Sequence, residues 1–271
     1  MRLDGKIAIV TGAGQGIGYG IASRLADEGA HVVVAEINAG TCHQAAEMLA
    51  KHGPEALAYP IDVGDPEAVQ QMIADVVKRL GRVDILVNNA GVSEKASILD
   101  ITPERWDWMQ RVNQRAVVFC TQAAARQMIA QMPDAVKQAG RADRSYGKII
   151  NISSIAGRRG RGDAIHYSVS KAAVITITQS AAAALAPYNI NVNAICPSVI
   201  PTAMWDELDR QRTETLGQPR GTYFRERVAR IPLKRAGTVE EIGAVAAFLC
   251  SSEGDYITGQ TYNVDGGNEM N

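Results

Sequence analysis

The chain has 271 residues, 46 % hydrophobic and 21 % charged, with a formal net charge of −1 and a pI near 6.4. That length and balance suit one globular α/β domain with a large core. No basic field exists to collect phosphates, which argues against a nucleic-acid partner.

The N-terminus, Met1 to Lys6, shows no apolar run with a small-residue cleavage site, so no secretory signal is expected. The apolar runs look short and interrupted, and no membrane span or membrane partner is expected. Four cysteines, at 42, 120, 196 and 250, include no CxxC pair and suggest reduced thiols in a cytoplasm.

In chain order, residues 7–10 read as a first strand and run into Thr11-Gly12-Ala13-Gly14-Gln15-Gly16-Ile17-Gly18, inside which a helix over 16–28 begins. Glycine permits a sharp turn and close approach of a pyrophosphate to the helix N-terminus, whose free N–H groups favour negative charge. The spacing Gly12, Gly16, Gly18 is GxxxGxG, not GxGxxG and not a P-loop. A merely flexible strand-to-helix turn is the alternative. Residues 32–35 form a second strand closed by Glu36, with a helix over 40–52 after it. A carboxylate there accepts from adenosine ribose hydroxyls and repels a 2′-phosphate, and neighbouring Gln15 and Ile37 offer no cation, so NAD is expected rather than NADP. A weaker third strand, 56–61, ends at Asp62-Val63. Asp62 is either an acceptor for the adenine amino group, with Val63 against the ring, or a helix cap like Asp65. After a helix over 66–80, a fourth strand over 83–87 leads to Asn88-Asn89-Ala90-Gly91, small enough to leave room for adenosine.

One helix is expected over 103–131, with Asn113 poorly placed for helix propensity in its middle. Residues 133–147 read as a surface excursion. The fifth strand, 148–152, ends in Asn151-Ile152-Ser153-Ser154, where the serines serve either as caps or, for Ser154, to hold a carbonyl or alkoxide oxygen. Tyr167 and Lys171, spaced i, i+4, share one face of a helix over 164–186. An ammonium nearby favours phenolate, which would make Tyr167 a general base. A sixth strand covers 190–195. Residues 197–236 carry four prolines and many charges, and read as a helical lid. A helix over 238–251 and a short strand over 261–264 finish the chain. Strand and helix alternate throughout, which predicts a parallel sheet with helices on both faces and ligands beyond the strands' carboxyl ends.

Taken together, TGAGQGIG at 11–18, Glu36, Asp62-Val63, NNAG at 88–91, Asn113, ISS at 152–154, YSVSK at 167–171, NVNAICPSVIPT at 191–202 and YNVDGG at 262–267 resemble the short-chain dehydrogenase/reductase family over essentially the whole chain. The resemblance implies an α/β fold: a doubly wound, parallel, seven-stranded Rossmann sheet in a single domain, 1–271. Its nucleotide-binding part would cover about 1–150 and its catalytic and substrate part about 150–271. It implies Ser154, Tyr167 and Lys171 as a catalytic trio, with Asn113 completing a tetrad that holds a relay water. It implies NAD contacts from Gly12, Gln15, Gly16, Ile17, Gly18, Glu36, Asp62, Val63, Asn89, Ala90, Gly91, Tyr167, Lys171, Pro197, Ile200 and Thr202, and a homotetramer. The family usually has Pro-Gly where this chain has Pro197-Ser198, which adds a side chain beside the nicotinamide pocket.

No metal is expected, because His31, His43, His52 and His166 form no ligand cluster. His166 either lines the pocket or simply starts its helix. Val92, Ser93, Glu94, Ile155, Ala156, Met204 and Trp205 are expected around the substrate, with Ser93 or Glu94 binding extra hydroxyls. The run Gly157-Arg158-Arg159-Gly160-Arg161-Gly162 is either a solvated turn or an attractant for an anionic substrate. KIINISSIAGRRG, MWDELD and DYITGQTYNVDGGN resemble the sorbitol/galactitol dehydrogenases of this family. The expected reaction is therefore oxidation of a sugar alcohol or another small polar alcohol. The alternatives are a 3-oxoacyl or small-ketone reductase and, more remotely, a non-catalytic nucleotide-sensing scaffold, which would tolerate a damaged tetrad.

Overall fold

The computed structural model describes residues 1–51 and 53–270, so His52 and Asn271 lie outside the described residues. Seven strands, β1 (Ile7–Thr11), β2 (His31–Glu36), β3 (Ala56–Pro60), β4 (Ile85–Asn88), β5 (Gly147–Ile152), β6 (Ile190–Pro197) and β7 (Thr261–Val264), make one sheet in the order β3-β2-β1-β4-β5-β6-β7. Every pairing is parallel. This is the expected Rossmann architecture in a single domain. The helices are α1 (Gly16–Asp27), α2 (Ala39–Leu49), α3 (Pro66–Leu80), α4 (Pro103–Gln110), α5 (Ala116–Ala130), α6 (Asp134–Ala139), α7 (Ile165–Leu185), α8 (Ala203–Leu216), α9 (Thr222–Ala229) and α10 (Val239–Cys250).

Strand side chains alternate between faces, so a strand covered on both sides is apolar throughout. Ala8, Val10, Val32 and Val34 pack with Ile21, Leu25 and Leu49 on one side of the sheet. Ile7, Ile9, Val33 and Leu86 pack with Met72, Val76 and Met128 on the other. Helices α1 and α10 meet at glycines: a Cβ on Gly243 would stand 2.8 Å from the Gly20 carbonyl oxygen. Local signals set several ends. Asp65 caps α3 by accepting from Glu67 and Ala68 N–H, Pro66 opens it, and Gly81 closes it at φ 84°. Thr238 and Glu241 form a capping box at the start of α10.

The structure departs from the sequence reading in three places. The helix expected over 103–131 is broken into α4, a π turn at Arg111–Arg115, and α5. The excursion over 133–147 contains the short helix α6. The segment 197–236, by contrast, is helical as expected, in α8 and α9. The third departure corrects the expectation that no apolar run approaches a membrane span. Ile165–Tyr188, α7 with the turn after it, is long and apolar enough by composition, with a mean hydropathy of 1.3. It nevertheless carries Lys171, Thr178 and His166 buried against the fold.

Candidate active site

The chain leaves β1 toward one edge of the sheet and β4 toward the other, so a crevice opens between their carboxyl ends. A cleft of about 340 Å³ lies there, lined from Gly12 on one side to Trp205 on the other. Gly12 and Gly16 adopt φ of 64° and 59°, a region that side chains avoid. A Cβ on Gly12 would sit 2.8 Å from the Cα of Ala90. Asn89 holds this corner, donating from Nδ2 to the carbonyls of Thr11 and Gly12 at 2.9 and 3.0 Å. At the start of α1, Gln15 makes no side-chain cap and the first turn carries no acidic residue. The N–H groups of that turn thus remain available to an anion, as a dinucleotide's pyrophosphate requires.

At the other end of this crevice, Glu36 Oε2 accepts from Gly14 N–H at 3.2 Å and Oε1 from Ile37 N–H at 3.0 Å. The carboxylate therefore stands at the rim of the cleft, fixed by backbone donors. Asp62 accepts from Gly64 N–H at 2.8 Å and from Arg111 at 2.9 Å, while helix capping falls to Asp65. Arg111 lines the same cleft, with Ile61 and Val63 beside it. Arg111 was not singled out in the sequence, because it sits in the π turn after α4 while its partner Asp62 lies far back in the chain, after β3.

Beyond the end of β5, Ser154, Tyr167 and Lys171 come together along one cleft as expected. The Ser154 hydroxyl accepts from Ala156 N–H at 3.1 Å and stands close enough to the Tyr167 phenol to lower its pKa. Lys171 Nζ donates to the Ile152 carbonyl at 2.9 Å and lies 5.9 Å from the Tyr167 ring centroid. Ser153 Oγ donates to the Lys171 carbonyl at 2.7 Å, pinning α7 to the end of β5. Burial raises the Tyr167 pKa above its ordinary value, against the lowering effect of Ser154, and brings Lys171 down to about 8. Desolvation of the phenol is the leading cause of that upward shift.

Asn113 is fully buried in the π turn. Its amide exchanges hydrogen bonds with the backbone of Val92, both at 2.8 Å, and donates to Ser170 Oγ at 3.1 Å. A Cβ on Gly91 would lie 3.2 Å from Asn113 Oδ1 and 3.4 Å from Lys171 Nζ, so these three residues crowd together. A one-residue widening of a helix is a common device for aiming such a side chain.

Every other residue expected to touch the nucleotide lines the cleft except Ile200. The Ile200 side chain is 1 % exposed and packs in the core, its Cδ1 2.7 Å from where a Gly237 Cβ would stand. Ser198 fits its loop without positive φ, and its Oγ accepts from Asn268 Nδ2 at 2.9 Å, tying the C-terminal segment to the cleft. That segment folds back on its own chain, since Glu269 pairs with Arg159 and Arg161.

A second cavity, of about 290 Å³, meets the first at Ser154, Tyr167, Ser198, Met204 and Trp205. Ser93, Ile155 and Ala156 line it as expected, with lid residues from α8 and α9. Glu94 does not line it: Arg105 clamps both carboxylate oxygens, at 2.9 and 2.8 Å, and His166 lies 3.4 Å away. His166 is completely buried and faces neither cavity. Among the described residues no group of three or more His, Cys, Asp or Glu is placed to hold a metal.

A doubly wound sheet with a glycine cradle and a Ser–Tyr–Lys cluster at its switch point is the build of a nicotinamide-dinucleotide oxidoreductase. Residues 12–269 match a family model described as enoyl-(acyl carrier protein) reductase. The chain belongs to the short-chain dehydrogenase/reductase family. It is 43 % identical over 270 residues to a sorbitol dehydrogenase from Cereibacter sphaeroides and 39 % to a galactitol 2-dehydrogenase from Agrobacterium fabrum, each match covering 100 % of both chains. Among solved structures it resembles an NAD+-bound xylitol dehydrogenase, with a TM-score of 0.90 and 32 % identity over 98 % of this chain and 100 % of that one. Relatives of other description fall in a similar range. A 3-oxoacyl-[acyl-carrier-protein] reductase from Thermotoga maritima is 34 % identical over 98 % of this chain and 99 % of its own. An NADP-bound structure described as a putative 2-deoxy-d-gluconate 3-dehydrogenase, from Agrobacterium tumefaciens, is 35 % identical, with a TM-score of 0.81 over 98 % of this chain and 97 % of that one.

Proposed function

We propose that this protein is an NAD-dependent polyol dehydrogenase that interconverts a secondary alcohol and its ketone. The observation that carries this reading is the meeting of the two cavities at Ser154 and Tyr167. Tyr167 takes the hydroxyl proton in oxidation and returns it in reduction. Ser154 holds the substrate oxygen beside the phenol. Lys171, desolvated and held by the Ile152 carbonyl, sets the charge beside Tyr167 and offers its remaining protons to a ribose. Asn113 completes the tetrad by locking the loop at Gly91 and Val92 against α7. Nicotinamide bound in the cleft would supply the hydride acceptor.

The preference for NAD is supported by charge at the adenosine end. Of the described residues lining the cleft only Arg111 and Lys171 are cationic, and Arg111 is held by Asp62. Glu36 would repel a 2′-phosphate. Glu36→Ala is therefore expected to lower kcat/KM with NAD about tenfold and to raise the NADP-to-NAD ratio, as losing a charged hydrogen-bond partner and a like-charge repulsion implies. An unchanged ratio in initial-rate assays counts against the assignment.

Polyol relatives at 43 % and 39 % identity support a sugar alcohol as substrate class. The Thermotoga relative keeps reduction of a 3-oxoacyl group as the second reading. Nicotinamide absorbance assays with sugar alcohols, small diols and 3-oxoacyl thioesters separate them. Turnover of thioesters but not polyols overturns the first reading. A homotetramer is part of the proposal, supported by exposed apolar positions such as Val118 on α5 and Val169 on α7. A cytoplasmic setting is consistent with four buried cysteines that form no disulfide.

A further inference from the structure

The substrate cavity is more basic than a neutral polyol needs. Five cations face it: Lys95, Arg161, Arg212, Arg227 and Arg230. Only Asp163 and Glu226 among its lining residues are acidic. Two of the cations are accounted for. Lys95 pairs with Asp163 at 3.0 Å, and Arg161 pairs at 2.7 Å with Glu269, a buried carboxylate outside the lining. Arg212, Arg227 and Arg230 make no ion pair among the described residues, and Glu226 is the single unpaired acid facing them. Arg212 is felt only at a distance, by Asp163. Arg227 Nε is shielded from solvent and has no hydrogen-bond partner.

A guanidinium turned into a cavity with an unsatisfied N–H costs free energy until an acceptor arrives. Its planar fork suits the paired oxygens of a carboxylate or phosphate. Arg212 and Arg227 come from α8 and α9, the two lid helices, so an anion between them would also draw the lid together. The cavity's other end is the Ser154–Tyr167 pair. A single small molecule of the class this volume admits would place its reacting hydroxyl there and its charged end under the lid.

We propose that the physiological substrate is a polyhydroxy compound with a terminal anionic group, carboxylate or phosphate, seated by Arg227 and Arg212 while its secondary hydroxyl meets Tyr167. This rests on the reading of the site as a polyol dehydrogenase and names its substrate class more narrowly. It differs from the neutral polyols named for the sorbitol and galactitol relatives.

The test uses matched sets on the full-length, nucleotide-loaded enzyme: sorbitol, gluconate and sorbitol 6-phosphate, and the galacto-configured equivalents. Initial rates are expected to give an anionic member a kcat/KM at least about tenfold above its neutral counterpart, and the carboxylate and phosphate arms identify which anion is used. Arg227→Met and Arg212→Met are each expected to reduce that ratio by about tenfold, through KM, as loss of a charge-assisted hydrogen bond implies. Lys137→Gln on α6, which changes net charge equally far from the cavity, leaves the ratio alone. Circular dichroism confirms that the variants are folded. Calorimetric binding of the same probes reads the anion site apart from turnover. Turnover of neutral polyols at equal or higher efficiency, with a ratio indifferent to Arg227, overturns the anion site and leaves the dehydrogenase reading intact. Anion binding lost in Arg227→Met, with no turnover of any polyol, overturns the dehydrogenase reading and leaves the anion site standing.

Discussion

Tyr167→Phe is expected to lower kcat by roughly 10²- to 10⁴-fold, the span that a positioned acid/base commonly contributes. The ring stays in place, and what is lost is the hydroxyl beside Ser154. Nucleotide affinity should change by no more than about threefold, because the glycine cradle and Glu36 are untouched. Steady-state rates and nucleotide fluorescence titration measure the two effects separately. A variant within tenfold of the parent rate would remove Tyr167 from the chemistry. The pH profile follows from the same group. Oxidation needs the phenol deprotonated, and burial holds its pKa above the ordinary value, so kcat/KM for oxidation should climb from about pH 7 to 9. Reduction needs the phenol protonated and should not climb over that span. Lys171, brought down to about 8, adds an inflection there in both directions. An oxidation rate that is flat across this range contradicts the assignment.

Gly18→Ala should be nearly as damaging by an unrelated route. The added Cβ would collide with the Gly12 carbonyl oxygen and the Asn89 amide nitrogen, and lie 2.8 Å from the Gly12 carbonyl carbon. Neither neighbour is free to swing away: one is backbone, and the amide is committed to two carbonyls. Overpacking of this kind costs about 2–3 kcal/mol. For a chain of this size that is a fall in Tm of roughly 5–10 °C. Because the turn that would receive the pyrophosphate must shift, nucleotide affinity should fall by about a hundredfold, an effect that calorimetry reads directly. Gly160→Ala is the control, since nothing lies within 4 Å of its added Cβ. If Gly18→Ala binds nucleotide and melts like the parent, the cradle is not a cradle.

Much of this was legible because its causes are local. Alternating apolar strands and amphipathic helices repeat every two or 3.6 residues, and the parallel seven-stranded sheet follows from their order. Gly12 and Gly16 take positive φ, which side chains avoid whatever surrounds them, and a Cβ on Gly18 would meet the Gly12 carbonyl of the same turn. Tyr167 and Lys171 share a helix face by spacing alone. The exact ends of elements were less legible. The strand read over 83–87 is Ile85–Asn88, and the long helix around Asn113 is interrupted, because tertiary hydrogen bonds to Val92 and Ser170 stabilise the π turn.

Segment order, the glycine turn at 12–18 and the placing of Tyr167 and Lys171 on one helix face were therefore determined by the sequence alone, through backbone preference and short-range spacing. Only the tertiary structure decided which charges stay available. Glu94 is consumed by Arg105, and Arg161 by Glu269, while Ile200 turns its side chain into the core. Arg212 and Arg227, unremarkable in a polar lid, face the same cavity as Tyr167. Partners separated by up to 108 residues, as Arg161 and Glu269 are, leave no periodic trace in the chain, because their contact arises only once distant elements have packed.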